Sequence, residues 1–346
     1  MAAVKEYKCL NCHAGLAFDP ESGKWKCDYC FSQFDKVQLD EVYGHDHSDE
    51  LNEEEQDLDS YHCTSCGAEL IADETTSATF CIYCKNPTVI KQRFTGKFKP
   101  RYVVPFKITK EEAVKKYGEW IRKKFLAPKI LKTEEEIHKI TGIYAPFWMY
   151  DCVADASTSG EGTKVSSWVA GKYRYTKTSY YYVERQGSAA YAKIPVDSST
   201  KLDDRFMHMI EPYDYSELKD FSMHFLTGFM AEKYDVEDEA CSQVMKERVE
   251  GYVNSRLSET IQGYSSFHPK TKNVDLKDVK NEYALLPIYL IINKYKGKDH
   301  VFIMNGQTGK IVGDTPIDVK RQALLFGLVA GATWLITAIG GAIIGF

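Results

Sequence analysis

The chain has 346 residues, 44% of them apolar and 27% charged, with a formal net charge of −5. Those totals exclude a disordered, collagen-like or low-complexity chain, and ten cysteines are too dilute for a disulfide-stapled scaffold, which typically exceeds about 8% cysteine. The length suggests roughly two domains, and the mild acidity argues against a surface coated with phosphate-binding groups.

Eight of the ten cysteines lie in the first 84 residues, as Cys9-x2-Cys12 with Cys27-x2-Cys30 and Cys63-x2-Cys66 with Cys81-x2-Cys84. Each cysteine of the second set stands 54 positions after its counterpart, and Tyr7, Ala14, Leu16, Asp19 and Tyr29 recur as Tyr61, Ala68, Leu70, Asp73 and Tyr83. This is an internal duplication. A two-residue gap aims two thiolates at one point, and two such knuckles complete a tetrahedral four-sulfur site. A unit of about 25 residues buries too little apolar surface to fold alone, so metal must supply much of its folding energy. The spacing predicts two closed, structural Zn²⁺ sites, in a zinc ribbon over residues 1–34 and another over 61–90. Rubredoxin-type iron and paired disulfides are the alternatives. Residues 5–34 are neutral overall and residues 61–84 carry −3, so the ribbons read as protein-contact or spacer modules rather than phosphate binders.

Between them, residues 35–59 hold eleven acidic side chains and one lysine, Lys36. No period organises them, and residues 35–60 read as an acidic, solvated, flexible linker. His45 and His47 within it read as solvated. Residues 85–107 reverse the charge, with seven cations (Lys85, Lys91, Arg93, Lys97, Lys99, Arg101 and Lys107) and no acid. Phe94, Phe98, Tyr102 and Phe106 are interleaved, a pattern that suits a nucleic-acid groove, anionic lipid or an acidic protein. The plainer reading, and the favoured one, is an amphipathic strand with a solvated basic face, since Tyr102, Val103, Val104, Phe106 and Ile108 read as core.

Residues 91–316 alternate between helical and strand periods. Thr109 with Glu112 opens a helix whose apolar face runs Ala113, Val114, Tyr117, Trp120, Ile121 and Phe125. Thr133 with Glu136 opens a short one carrying Ile137 and Ile140 and ending at Gly142. Residues 143–196, rich in Tyr, Val, Ser and Thr, read as antiparallel strands. Asp235 is placed to cap a long helix in which Cys241, Met245, Val249, Tyr252, Val253, Leu257 and Ile261 repeat at helical spacing, closed by Gly263. Strands return at 283–296 and 299–313, with a turn at Asn305-Gly306. The order predicts an α+β domain built on an antiparallel sheet. No catalytic motif accompanies it, and no enzyme is expected. Gly306-Gln307-Thr308-Gly309-Lys310 lacks the gap and the following helix of a phosphate-binding loop, Cys152 and Cys241 read as core thiols, and His208, His224, His268 and His300 are scattered.

From Ala323 to Phe346 no residue is charged. As a helix this stretch measures roughly 36 Å, enough to cross a hydrocarbon core of about 30 Å, and residues 320–346 are expected to form one transmembrane helix at the end of the chain. Lys320 and Arg321 flank its near end, which places the preceding residues in the cytoplasm. No N-terminal signal segment is expected, because Lys5, Glu6 and Lys8 interrupt any apolar run. Reducing cytoplasm also suits free four-cysteine sites. Gly327-x3-Gly331 and Gly341-x3-Gly345 offer faces for self-association.

The ribbons, Val104-Pro105-Phe106-Lys107-Ile108, Gly142-Ile143-Tyr144-Ala145-Pro146-Phe147-Trp148, and Asn305-Gly306-Gln307-Thr308-Gly309-Lys310 before the apolar helix together resemble a known family. It is the bacterial membrane-anchored zinc-ribbon proteins, described as TFIIB-type zinc ribbon or YdjG-like and sometimes labelled primosomal-helicase-like or phage replication protein. The nucleotide-binding motifs that a helicase needs are missing. The resemblance implies cytoplasmic partners of the PspA-like and SPFH-like kinds in a membrane-stress module. The expected function is a non-enzymatic membrane adaptor; the rival is a membrane-tethered nucleic-acid-binding protein using residues 85–107. One departure from a simple ribbon is His13, where the second copy has Gly67.

Overall fold

The computed structural model describes residues 4–5, 7–44, 60–62, 69–71, 76–80, 87–90 and 98–344. The strands are β1 (Val4–Lys5), β2 (Leu16–Asp19), β3 (Lys24–Cys27), β4 (Gln33–Phe34), β5 (Ser60–His62), β6 (Glu69–Ile71), β7 (Thr76–Phe80), β8 (Pro87–Ile90), β9 (Tyr102–Val103), β10 (Thr141–Ala170), β11 (Tyr173–Asp197), β12 (Lys219–Asp220), β13 (Met230–Glu232), β14 (Ser266–Tyr295), β15 (Lys298–Asn305) and β16 (Ile311–Gly313). The helices are α1 (Lys36–Tyr43), α2 (Lys110–Lys123), α3 (Glu134–Ile137), α4 (Asp204–Met209), α5 (Asp238–Glu259) and α6 (Val319–Ile344).

The architecture is α+β with antiparallel pairing dominant. β10 is its axis. It pairs with β14 from Thr141 to Thr163 and, on its other edge, with β13 at Ile143–Tyr144 and then β11 from Phe147 to Ala170. Near Thr141 the sheet continues through β15 and β16 on one side and through β13, β7, β8 and β1 on the other. Successive side chains of β10 point to opposite faces, which makes two cores. Tyr144, Tyr289, Ile291, Phe302 and Met304 pack under α2, while Ile143, Ala145, Phe147, Leu286 and Ile303 pack against Phe206, Met207, Ile210 and Tyr213. Farther along, α5 lays Cys241, Met245, Val249, Val253 and Leu257 over Tyr150, Cys152, Ala154 and Ala156.

Beyond the reach of α5 the sheet becomes an arm. β14 leaves it at Ser266, and β10 and β11 run on as a two-stranded hairpin turning at Gly171. At about 3.3 Å per residue, β10 from Thr141 to Ala170 follows a path of roughly 95 Å. From Lys164 to Tyr182 nearly every side chain is exposed, and Trp168 stacks on Tyr175 with ring centres 5.7 Å apart.

Four expectations change. Residues 36–43, assigned to the flexible linker, form α1, because Asp35 caps it in a reciprocal box with Gln38 and Leu39 is fully buried. Asp235 does not cap α5; it accepts hydrogen bonds from the Thr200 backbone N–H (2.8 Å) and hydroxyl (2.6 Å), and Glu237 stands at the cap position. Gly142 lies inside β10 and ends no helix. The boundary between the second ribbon and the α+β domain also does not hold in the sheet, since β7 and β8 extend the domain's main sheet.

The family-like stretches turn out to be packing elements. Phe106 stacks flat on Phe229 (4.0 Å) with Tyr144 and Tyr289 edge-on at 5.0 Å. A Cβ on Gly306 would come within 2.6 Å of that same ring. Asn305 Oδ1 accepts the N–H groups of Gln307 and Thr308, while the Gln307 side chain holds Asp214 through both its N–H and its C=O. Residues 306–310 are therefore a turn leading into β16, with no phosphate cradle. Phe106→Ala is expected to lower stability by about 3–5 kcal/mol, measured by thermal or denaturant unfolding of the detergent-solubilised chain; a loss below about 1 kcal/mol would contradict this core.

Candidate functional site

The first four cysteines meet. Cys9 and Cys12 lie on the turn before β2, while Cys27 ends β3 and Cys30 follows it. Their four sulfurs all lie within 4.8 Å of one another, with Cys9–Cys30 at 3.4 Å and Cys12–Cys27 at 3.5 Å. A tetrahedral zinc with bonds of about 2.3 Å requires sulfurs about 3.8 Å apart, so the constellation has the size of such a site.

The two knuckles are built alike. The His13 N–H donates to the Cys9 carbonyl and the Phe31 N–H to the Cys27 carbonyl, each at 2.9 Å. The Cys9 N–H then reaches Ala14 O (2.7 Å) and the Cys27 N–H reaches Ser32 O (2.9 Å). Both turns force a left-handed residue just after the second cysteine, His13 and Phe31, each with φ near 60°. That explains the departure at His13, because the position asks for glycine's conformation and the second copy has Gly67 there.

The donor set demands a cation. Against the Ala14 N–H, which favours the thiolate, burial and the other three sulfurs push Cys12 up to about 12. The Ser32 hydroxyl, 3.2 Å away, together with the Ser32 N–H, draws Cys30 down to about 6. Four sulfurs this close become thiolates together only around a positive charge. A structural metal would supply that charge and fold the ribbon, with no coordination position left for chemistry. Ser32, which also accepts from Asn11 Nδ2 (2.9 Å), is an orienting residue that cysteine spacing does not reveal.

The ribbon is not separate from the domain. The Trp25 indole N–H donates to His224 O (2.8 Å), the Phe18 N–H donates to Thr227 O (3.0 Å), and Phe18 and Trp25 both pack on Phe225 at 5.4 Å. Cys9 and Cys27 thus belong to one continuous core with α2 and the main sheet.

Cys63, Cys66, Cys81 and Cys84 lie outside the described residues, as do His45 and His47. The strands around that second set pair in the register of the first. Trp25↔Phe34 and Lys26↔Gln33 become Thr79↔Thr88 and Phe80↔Pro87, each shifted by 54. The Leu16 N–H to Tyr7 O bond likewise matches the pair Tyr61↔Leu70.

Of the basic stretch 85–107, residues 85–86 and 91–97, with Lys85, Lys91, Arg93 and Lys97, also lie outside the described residues. In the part described, Val103, Val104 and Phe106 are buried, Phe98 packs on Tyr234, and Lys107 pairs with Glu217 at 3.0 Å. This is the core-strand reading of the stretch.

α6 contrasts with the other helices among the described residues. Over Val319–Thr337 it is apolar enough and long enough to cross a membrane, and none of that span is buried. Its first turn is fixed to the domain, because Arg321 Nη1 donates to the carbonyls of Phe125 and Ala127, both at 2.9 Å, and the Asp318 N–H donates to Leu126 O.

One curated relative is similar to this chain over almost its whole length. The uncharacterized protein YdjG of Bacillus subtilis (strain 168) is 36% identical over 334 residues, covering 96% of each chain. The chain belongs to the YdjG family. No family model and no solved structure matches it. The family-like stretches quoted from the sequence are, in this member, the aromatic stack at Phe106 and the turn at Asn305.

Elsewhere, isolated titratable groups are buried without converging on a cleft. Cys241, pushed up to about 12 by burial and by Asp197, and Cys152, also raised by burial, are core thiols. An open groove beside the end of α5 is lined by Thr158, Asn254, Ser258, Ile261, Phe267, Pro269 and Lys272, with no carboxylate, imidazole or thiol among them. Both carboxyl oxygens of Asp197 are buried with no hydrogen-bond partner among the described residues. Burial, with help from Asp204, pushes this carboxyl up to about 8.

Chelating the metal, or Cys27→Ser, should shift Trp25 emission to the red, whereas His13→Gly should raise stability by up to about 1 kcal/mol through relief of left-handed strain; no emission change on chelation would contradict a structural metal. Because Asp197 binds its proton more tightly folded than unfolded, its stabilisation is complete below about pH 4 and is lost as pH rises through about 8. Asp197→Asn should flatten that fall in melting temperature between pH 5 and 9, and parallel curves for the two proteins would contradict the assignment.

Proposed function

We propose that the chain is a non-enzymatic, membrane-anchored adaptor that recruits cytoplasmic protein partners to the bilayer, with two structural Zn²⁺ ions holding its N-terminal ribbons. One observation carries the reading, the separation of two exposed apolar features. α6 is rooted beside the end of α2, where Trp120 packs on Phe302 and Phe302 in turn pairs with Ile291. The hairpin tip lies at the opposite end of β10 and exposes Trp168, Tyr173, Tyr175, Tyr180 and Tyr182. A helix in the bilayer and an aromatic tip tens of ångströms from its root suit a tether and a grip. Partners of the PspA-like and SPFH-like kinds, which the sequence resemblance implies, are candidates for what is gripped. Lys320 and Arg321, at the start of the apolar run, support a domain on the cytoplasmic side with these two cations at the inner boundary.

Photo-cross-linking in intact membranes, followed by identification of the captured proteins, tests the reading. Trp168→Ala with Tyr175→Ala should reduce capture by about thirtyfold, the effect of removing a contact worth roughly 2 kcal/mol; unchanged capture would refute the role of the tip. Metal analysis should give two zinc ions per chain, and one after Cys81→Ser.

A nucleic-acid reading, made from the sequence for residues 85–107, has a further supporting feature at the arm. The register puts Tyr181, Lys164, Lys177, Trp168, Tyr175 and Tyr173 on one face of the hairpin, and no acid occurs from Gly162 to Val183. Aromatic rings alternating with cations suit stacked bases. That reading requires the full chain to bind single-stranded oligonucleotides with a steep salt dependence, and no binding at low salt would remove it.

A further inference from the structure

We propose that the loop joining α2 to α3, with the root of α6, forms a docking surface for anionic phospholipid headgroups. The proposal rests on α6 crossing the bilayer. The decisive geometry is the absence of a spacer. Arg321 is bonded to the Phe125 and Ala127 carbonyls, and the uncharged run begins at Gln322. Three further residues of helix advance only about 4.5 Å. A loop held by Arg321 therefore lies within about one helical turn of the hydrocarbon boundary, at the level of the phosphates.

The composition of that loop fits its depth. Residues 122–132 contain Arg122, Lys123, Lys124, Lys129 and Lys132 and no acid. Arg122 pairs with Glu134, and Lys132 donates to the carbonyls of Arg122 and Lys124. Those two cations brace the fold. Lys123, Lys124, Lys129 and Lys320 are exposed, with Lys124 lying over the Trp120 ring at 4.6 Å. Among the nearby acids, Glu136 is engaged by Lys139 and Asp318 by Arg321, while Glu119 and Glu135 are exposed. Among these lysines stand three exposed apolar side chains, Phe125 (55% exposed), Ile130 (49%) and Ile317 (50%). Apolar side chains that enter the interface, ringed by lysines at phosphate level, make an anionic-lipid surface, in which each lysine strengthens attachment roughly fivefold. Sequence alone hides it, because Phe125 and Ile130 stand almost two hundred positions before Ile317.

The test uses the full chain in nanodiscs containing phosphatidylserine or phosphatidylcholine with a photoreactive group near the headgroup, and adducts are mapped by mass spectrometry. The serine lipid should label residues 123–130 at least fivefold more than the choline lipid. In K123E/K124E/K129E that labelling should fall at least tenfold while labelling at the start of α6 persists. Labelling confined to α6, or equal labelling of 123–130 by both lipids, overturns the docking surface and leaves the membrane span standing. Absence of labelling on α6 as well overturns the span and the surface together.

Discussion

The two-sided pairing of β10 holds the molecule together. Between Phe147 and Thr163 this strand is bonded to β14 on one edge and β11 on the other, so no edge of it is open where the domain gives way to the arm. A lone two-stranded hairpin is marginal in water. Here the third strand and α5 support it over most of its length, and only the last stretch, with the Trp168–Tyr175 stack, stands on its own pairing. The arm is thus a continuation of the core sheet, and its tip takes its position from the domain.

The metal site depends on the same sheet. A four-sulfur ribbon of this size needs a cation to fold, yet its aromatic residues do not close over themselves. Trp25 and Phe18 reach instead to the segment around His224–Thr227, which leads directly into β13 beside β10. The first ribbon is consequently a structural part of the α+β domain rather than a tethered probe. Metal loss would disturb the face of the sheet that also carries α2, and α2 leads directly into the loop gripped by Arg321. A continuous chain of packing joins the four-cysteine cluster to the root of the apolar helix.

Much of this was legible in the sequence. Cysteine spacing identified the first metal cluster, because ligand geometry is local; the caps at Thr109 and Thr133 and the long face from Cys241 to Leu257 were equally local. The arm was not legible in full. Residues 266–282 carried no strand expectation, because Phe267, Val274 and Leu276 are their only partly buried apolar side chains, too few to mark a strand by alternation. α1 was hidden by the acidity around it, although Leu39 and the Asp35–Gln38 box were present. Fusion of ribbon and domain was invisible for a different reason: the Trp25 contact with His224 spans 199 positions, and no local pattern encodes it. The same holds for Asp235, whose place before a helix suggested a cap while its oxygens serve Thr200.

The account stands or falls on an arm and domain on the cytoplasmic side of a bilayer crossed by α6. Protease accessibility in sealed bacterial membrane vesicles of opposite orientation measures this directly, with cleavage mapped in the exposed hairpin between Lys164 and Tyr182. The account predicts cleavage in inverted vesicles, protection in right-side-out vesicles, and retention of the α6 fragment in the membrane after alkaline washing. Cleavage in right-side-out vesicles, or release of the α6 fragment by the wash, would contradict it.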